Sequence, residues 1–335
     1  MRLAIFLGVL GHAVTAGADS SVVVTLNPQG EQLADDIGVS VPDLIATSKL
    51  RIDELYKLSR LPSLLRSFAN TAAVSQRGLG VDYDPDSGDI LIGATAGGIH
   101  GDVAIGTTNE LLGGSIVNFA IMTGVNLGRW HHPRWTVFAS GFYESTTIHD
   151  LDGTLFTLGA HVQYKVLPAS PPGHVRWIGL TATTGLEYAD WTIGTTTGGS
   201  IESHFIAEGT KERSSIHMSS TGTLDVNTST TSVPLELTTG VRLFDTLVLY
   251  GGGGIDLTTG SSEIVAQLTS VLSINADNLP IGTAVITGSD SASPSPITAH
   301  ALVGFAIHTR HVRVAIQGAV APGETAVNIG LRIAP

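Results

Sequence analysis

The sequence lacks several kinds of residue, and each absence excludes a class of protein. The 335-residue chain has no cysteine, so it has no disulfide framework and no thiol redox chemistry. It has 17 lysines and arginines against 29 aspartates and glutamates, and this acidic balance without a basic cluster argues against nucleic-acid binding. After the first twenty residues, no apolar run reaches the roughly 18 residues that a membrane-spanning helix needs.

Charged residues are also scarce, at 14% of the chain, whereas soluble domains carry roughly 25%. The mean hydropathy is nevertheless positive, at +0.27. The chain is therefore apolar on average without containing long apolar blocks. Alternation of apolar and polar residues along β-strands produces this combination.

The first 18 residues have the order of a secretory signal peptide. A positive Met1-Arg2 start precedes the apolar LAIFLGVL, and Ala16-Gly17-Ala18 forms a small-residue cleavage site before Asp19. No cysteine follows that site, which excludes a lipoprotein anchor. We expect residues 1–18 to direct export.

Residues 19–77 carry helical signals instead of strand signals. Ser40 and Asp43 resemble a capping box with Pro42 in the first turn, and apolar residues then recur at helical spacing as far as Tyr56. A second short helix is predicted near residues 64–73. This segment is too short to be expected to have a core of its own, and we interpret it as a periplasmic spacer or a plug that packs against the following domain.

From about residue 90 the hydrophobic period changes to two. In SIVNFAIMTGVNLG, for example, Phe119, Ile121 and Val125 alternate with smaller or polar residues. We predict ten strands, near residues 90–98, 115–128, 135–147, 155–167, 176–196, 232–244, 246–260, 297–309, 311–321 and 324–335. Residues 78–335 are thus predicted to be an all-β domain, a transmembrane antiparallel up-and-down β-barrel of about ten strands.

Strand length and composition favour a membrane barrel over a secreted soluble β-sandwich, which stays a further hypothesis. The strands approach the roughly 9–11 residues needed to cross a bilayer, and their polar face is rich in Gly, Thr and Asn but poor in lysine. An even strand number places both barrel termini in the periplasm, with short turns there and long connections outside. Additional strand-like segments between residues 197–231 and 261–296 either extend the wall outward or add a pair, giving twelve strands.

The inward-facing positions mix both signs of charge. They are Asn118, Asn126, His161, Gln163, Lys165, Glu187, Glu236, Arg242, Asp256, His308, Arg313, Gln317, Asn328 and Arg332. A pore lining with weak selectivity is one interpretation of this set. A filled interior is the other, and we favour it because about eight strands already enclose only enough room for side chains.

The stretch LGRWHHPRW (residues 127–135) has the appearance of a site, but it is predicted to be a periplasmic turn. His131 and His132 are adjacent and would point in opposite directions on a strand, so they are poorly placed to share a metal ion. Aromatic residues near strand ends suit the girdle of a membrane barrel, where a ring with one polar group lies at the lipid–water boundary. The predicted girdle comprises Trp130, Trp135, Tyr164, Trp177, Tyr188 and Trp191.

No catalytic motif or metal site is identified, and no cofactor is expected. DYDPDSGD (residues 82–89) departs from the spacing of a calcium loop and has the composition of a turn. HDLDG (residues 149–153) has the composition of a solvated turn. The serine of FASGF, Ser140, does not lie in a nucleophile-elbow motif, and His161 has no serine partner within a local motif.

A signal peptide, a helical N-terminal segment and alternating strands together resemble Gram-negative outer-membrane β-barrel proteins. TLNPQGEQLADDIGVSVPDL followed by RGLGVDY resembles the lead-in of uncharacterised myxobacterial barrels. The resemblance implies an outer-membrane location, with membrane lipid and the barrel-insertion machinery as partners. We expect a non-enzymatic structural, surface-interaction or narrow-channel role. The alternative is an outer-membrane hydrolase that acts on lipid or peptide at the outer rim.

Overall fold

The structure is a computed structural model that describes residues 19–36, 42, 46, 61–84, 90–101, 114–148, 151–206, 213–274, 279–309 and 311–333. The predicted signal peptide, most of the predicted helix between residues 40 and 56, and residues 85–89 of the predicted turn at 82–89 lie outside these ranges. No helix within the described residues is long and apolar enough to cross a membrane.

The described chain is mostly antiparallel strand. The strands are β1 (Asp19–Leu26), β2 (Ile90–Gly101), β3 (Gly114–Asn126), β4 (Trp135–Ile148), β5 (Leu151–Leu167), β6 (Val175–Ile206), β7 (Arg213–Leu243), β8 (Leu247–Ile274), β9 (Leu279–Ala292), β10 (Ile297–His308), β11 (Val312–Ala321) and β12 (Glu324–Ile333). Helices α1 (Pro28–Asp36) and α2 (Leu61–Val74) lie between β1 and β2.

Ten of these strands close into a ring, which confirms the predicted barrel. Strands β2 to β8 pair in sequence order, β8 pairs with β10, and β10, β11 and β12 follow. The pairing of β12 with β2 completes the ring. Each predicted strand corresponds to one of these ten. The alternation fixes the pairing register of each strand, because a shift by one residue would turn its apolar side chains into the lumen.

The two ends of the barrel differ. At one end, the short-turn end, residues 127–134, 168–174, 244–246 and 309–311 connect neighbouring strands. At the other, the long-strand end, β6, β7 and β8 continue beyond the ring. There β9 pairs with the upper half of β8, opposite residues 262–274.

The extra strand-like segments therefore extend the wall and do not widen the ring. β9 and β10 lie one above the other along β8, since β10 pairs only with its lower half as far as Leu257. Residues 293–296 separate them and contain Pro294 and Pro296, which have no N–H to donate to a ladder. The proline pair explains why one long line of strand is divided in two.

The N-terminal segment differs in part from its predicted helical character. Residues 61–74 form the second predicted helix, as α2, whereas residues 19–26 form a strand, β1, that pairs with β9 from Asp19 opposite Ser289 to Leu26 opposite Gly282. The partner of β1 lies more than 250 residues further along the chain. Local periodicity contains no information about a pairing at that distance, so the sequence pattern missed this strand.

The LGRWHHPRW stretch is a turn, as predicted, at the short-turn end. A 3-10 helix spans Leu127–Trp130, and the Asn126 side chain caps it by accepting a hydrogen bond from the Gly128 N–H (2.9 Å). His131 follows in the left-handed conformation, with φ of 66°. The turn reverses the chain from β3 to β4 and directs both histidines into solvent.

A candidate functional site in the barrel lumen

The lumen is occupied by the chain's own residues 75–84, called here the lumen segment. Every one of these residues is buried. Polar side chains from β3, β5, β7, β11 and β12 donate to or receive hydrogen bonds from it. Because these strands lie on different sides of the ring, the segment runs along the inside of the barrel.

The hydrogen bonds to β12 show the direction of the lumen segment. Asn328 Nδ2 donates to the carbonyl oxygen of Arg77 (2.6 Å), and Arg332 donates to the carbonyl oxygen of Val81 (2.8 Å). The two donors are four residues apart, and so are the two acceptors. The segment therefore passes beside β12 in the same direction, toward the short-turn end, through consecutive turns at residues 75–79 and then irregular chain.

An acidic cluster of the wall surrounds Arg77 in the middle of the lumen. Its guanidinium lies 2.6 Å from Asp256 and 3.6 Å from both Glu187 and Glu236, and its side chain is 1% exposed. Three carboxylates around one arginine leave excess negative charge. His300 lies between two of them, 2.9 Å from Asp256 and 3.1 Å from Glu236.

The same cluster holds a second residue of the lumen segment. The Tyr83 hydroxyl donates to Glu236 (2.9 Å), and its ring stacks on Tyr250 of β8 with ring centroids 5.7 Å apart. Buried polar groups are tolerated when they are hydrogen-bonded, and charged acceptors give the stronger bonds. The segment is thus attached to this part of the wall at two positions.

The charges are reversed nearer the short-turn end. There the lumen segment supplies Asp82 and Asp84, and the wall supplies the cations. Asp82 binds Arg313 (2.8 Å) and Arg332 (3.1 Å). Asp84 lies 2.7 Å from Arg242 and 3.0 Å from His308. The segment is therefore complementary in charge to the wall. Its cation Arg77 faces wall carboxylates, and its acids Asp82 and Asp84 face wall arginines nearer the short-turn end.

Glycine allows the segment to approach the wall closely. A Cβ atom at Gly80 would overlap the Ser140 hydroxyl of β4 and would lie 3.1 Å from Cε1 of His161. Gly78 has φ of +75°, a conformation that other residues rarely adopt, and a Cβ there would overlap the Gln317 side chain. At these two positions a larger residue would push the segment off the wall.

We predict that Gly80→Ala lowers the free energy of unfolding by about 1–3 kcal/mol, because it overfills a packed contact. The double variant Gly80→Ala/Ser140→Gly should recover most of this loss, since it removes the overlapping hydroxyl. Urea titration in detergent micelles, followed by tryptophan fluorescence, measures both. Gly98→Ala is the matched control, because a Cβ at that glycine meets nothing within 4 Å. Equal effects at Gly80 and Gly98 would refute the close approach.

Twelve of the fourteen residues predicted to line the lumen point into it. Ten are buried: Asn118, His161, Gln163, Glu187, Glu236, Asp256, Arg313, Gln317, Asn328 and Arg332. Arg242 and His308 are partly buried and both contact Asp84. The structure places the other two near the short-turn end, where Asn126 caps the 3-10 helix and Lys165 is half-buried.

Five of the six predicted girdle residues lie on the outside of the wall or at its short-turn rim. Trp130, Trp135 and Trp177 are exposed, Trp135 packs on Tyr164 with centroids 4.7 Å apart, and Tyr188 packs on Phe156. Trp191 departs from the prediction. It is 2% exposed and packs inside against Ala72 of α2 and Ala189. Residue 191 has the same inward parity on β6 as Glu187. The prediction followed the aromatic character of Trp191 instead of this parity.

Sequence reasoning missed the residues that fill the lumen, namely Arg77, Asp82, Tyr83 and Asp84, and it also missed His300. His300 has the inward parity of His308 on the same strand, so that signal was present in the alternation. RGLGVDYD resembles the lead-in of a barrel in its sequence. In the structure it follows consecutive turns and irregular chain through the lumen and does not join the wall.

The buried side chains include a serine, a histidine and a carboxylate on adjacent strands. His161 Nε2 lies 3.0 Å from Glu187, and Ser140 and His161 both lie against Gly80. All three are covered by the lumen segment, and His161 is buried. Asp84, which fits the first position of a calcium loop, binds the wall residue Arg242, and Asp86, which fits the next, lies outside the described residues. Within the described residues, no group of three or more His, Asp or Glu side chains is arranged to hold a metal ion.

These features define a closed ten-stranded antiparallel β-barrel whose lumen is filled by its own N-terminal segment. The family model described as Lsa36-like matches residues 17–334, and the chain belongs to that family. A comparison with curated proteins finds no match.

Three solved structures that match this chain are distant from it. The translocator domain of the autotransporter NalP from Neisseria meningitidis has 7% identity and a TM-score of 0.29, covering 86% of this chain and 97% of that one. The P. putida toluene transporter TodX has 9% identity and a TM-score of 0.29, covering 80% and 93%. A Pseudomonas aeruginosa FadL homologue has 8% identity and a TM-score of 0.26, covering 79% and 98%. Similarities this low carry no argument about function.

Proposed function

We propose that this protein is an outer-membrane β-barrel of a Gram-negative cell, closed by its own lumen segment, with a structural or surface-interaction role. The observation that carries the proposal is the occupied lumen. Arg77, Asp82 and Asp84 form ion pairs with wall residues from strands around the ring. These pairs occupy the polar interior that a solute would need to pass through this part of the barrel. A barrel with this interior is suited to holding a surface module in place.

The outer face supports the membrane location. Each of the ten ring strands presents exposed apolar residues outward: Ile92, Ile121, Val137, Leu158, Leu186, Leu237, Leu249, Val303, Val314 and Ile329 are one from each strand. Trp130, Trp135 and Trp177 lie toward the short-turn end, where an aromatic girdle is expected. A belt of this kind would be unfavourable in water, so we infer that lipid surrounds it and that the barrel-insertion machinery assembles it.

We also propose that the protein is not an enzyme. Ser140, His161 and Glu187 are the described residues that most favour the hydrolase alternative, since a base oriented by a carboxylate is needed to activate a serine. Their burial beneath Gly80 supports the non-catalytic proposal, because a substrate would have to displace the lumen segment to reach them.

Conductance in a planar lipid bilayer tests the closed lumen. We expect the folded protein to insert without steps of porin size, because the lumen segment occupies the pathway. A heat-modifiable gel shift shows that the barrel is folded, and a general porin in the same membrane shows that the assay detects open pores. Stable steps of porin size from the wild-type protein would contradict the proposal. Small, infrequent steps would favour a narrow-channel role.

A further inference from the structure

We propose that the barrel carries its own N-terminal module, defined here as the described residues 19–36 and 61–74, to the outer surface of the cell. The proposal rests on the outer-membrane barrel proposed above. Ten wall strands cross the membrane ten times, and the lumen segment adds an eleventh crossing. An odd number of crossings places the two ends of the chain on opposite sides, whereas the wall strands alone would place them on the same side.

The positions of the elements along the barrel support this count. β1 pairs with β9, which belongs to the extension of the wall at the long-strand end. Leu65 of α2 contacts Val226 and Ile264 in the same extension. In contrast, β2 starts with Ile90 opposite Val125, beside the turn at the short-turn end. Between α2 and β2 the chain therefore travels the length of the barrel.

The orientation follows from the connections. Membrane barrels of bacteria have short periplasmic turns and longer extracellular connections. The short-turn end is thus periplasmic and the long-strand end is outside. An exported chain first arrives in the periplasm, so the N-terminal module has to cross the membrane to reach its position. Because the lumen segment lies inside the barrel and connects the module to β2, we infer that the module crosses through the barrel interior.

The lumen segment has features that keep it inside the barrel after the module has crossed. Gly78 and Gly80 make the chain narrow where it approaches the wall, and Arg77, Asp82 and Asp84 bind wall groups of opposite charge. Beyond the barrel, the eight residue pairs between β1 and β9 hold the other end of the module. The module is therefore fixed both inside the lumen and at the long-strand end, and it cannot slide back.

Cysteine labelling tests the proposal, because the natural chain contains no cysteine. Three single variants are produced in a Gram-negative outer membrane: Gln29→Cys on α1, Glu263→Cys on the upper part of β8, and His132→Cys in the turn at the short-turn end. All three side chains are exposed in the structure. Each is treated with a membrane-impermeant maleimide, on intact cells and on cells with a permeabilised outer membrane. A heat-modifiable gel shift confirms that each variant is folded.

We expect Gln29→Cys and Glu263→Cys to be labelled at least tenfold more strongly than His132→Cys on intact cells, with equal labelling of all three after permeabilisation. Labelling of Glu263→Cys but not Gln29→Cys on intact cells would show that the module stays in the periplasm, and would overturn the proposal. Labelling of His132→Cys alone on intact cells would show an inverted barrel, which also overturns it. Equal labelling of all three on intact cells, or their recovery outside the membrane fraction, would instead contradict the proposed membrane barrel.

Discussion

Replacing Arg77 with methionine is expected to lower the free energy of unfolding by about 3–5 kcal/mol, the range found when one partner of a buried ion pair is removed. Arg77 is 1% exposed and is the shared cation of Glu187, Glu236 and Asp256. Methionine fills much of the same volume but leaves the three carboxylates without their common partner. Because these groups are distant from water, their repulsion is only weakly screened.

The measurement is a urea titration of the folded protein in detergent micelles, with the variant Arg66→Met as the matched control. Arg66 lies on α2 and is exposed, so the same substitution there removes a solvated charge and should have little effect. If Arg77→Met and Arg66→Met unfold at the same urea concentration, the guanidinium does not hold the acidic cluster together.

A charge on the apolar belt is expected to have the second-largest effect. Val303 of β10 is 67% exposed on the outer face of the ring. In a lipid bilayer, Val303→Arg should make folding into the membrane less favourable by about 2–4 kcal/mol, since an arginine near the bilayer centre has to be moved out of water into hydrocarbon. Folding into lipid vesicles at increasing urea concentration, followed by the heat-modifiable gel shift, measures the change.

Val265 provides the control for this prediction. It is also an outward valine, 52% exposed, but it lies on the upper part of β8, in the extension beyond the ring. Val265→Arg should fold as the wild-type protein does, because its side chain lies in water on both sides of the transition. If the two variants behave alike, the ring strands are not embedded in lipid, and the proposed membrane location is contradicted.

The sequence alone was sufficient to predict the wall. The apolar–polar alternation predicts ten strands that all occur in the ring, and parity also places twelve of fourteen polar side chains inside. Parity carries this information because the direction of a side chain on a strand depends only on its position among neighbouring residues. Trp191 shows what happens when residue type is given more weight than parity. Its parity correctly indicates an inward side chain, whereas its aromatic character led to the wrong prediction of an outward one.

Charge pairing across the lumen was outside the reach of the sequence. Arg77 meets Asp256 179 positions later, and Asp82 meets Arg332 250 positions later. Nothing in RGLGVDYD distinguishes a segment that joins the wall from one that passes through the lumen, because the alternation of polar and apolar residues does not say which partners it meets. Pairing with β9 likewise decided that residues 19–26 form a strand.

By itself, the sequence determined the class of fold, the positions of the strands that form the ring and the face on which most of their side chains lie, since each of these follows from local alternation. The tertiary structure alone decided what fills the lumen, where the N-terminal module lies and how many times the chain passes along the barrel. Those features depend on contacts between charges and strand edges far apart in the chain. Such contacts exist only once the ring has closed around the segment.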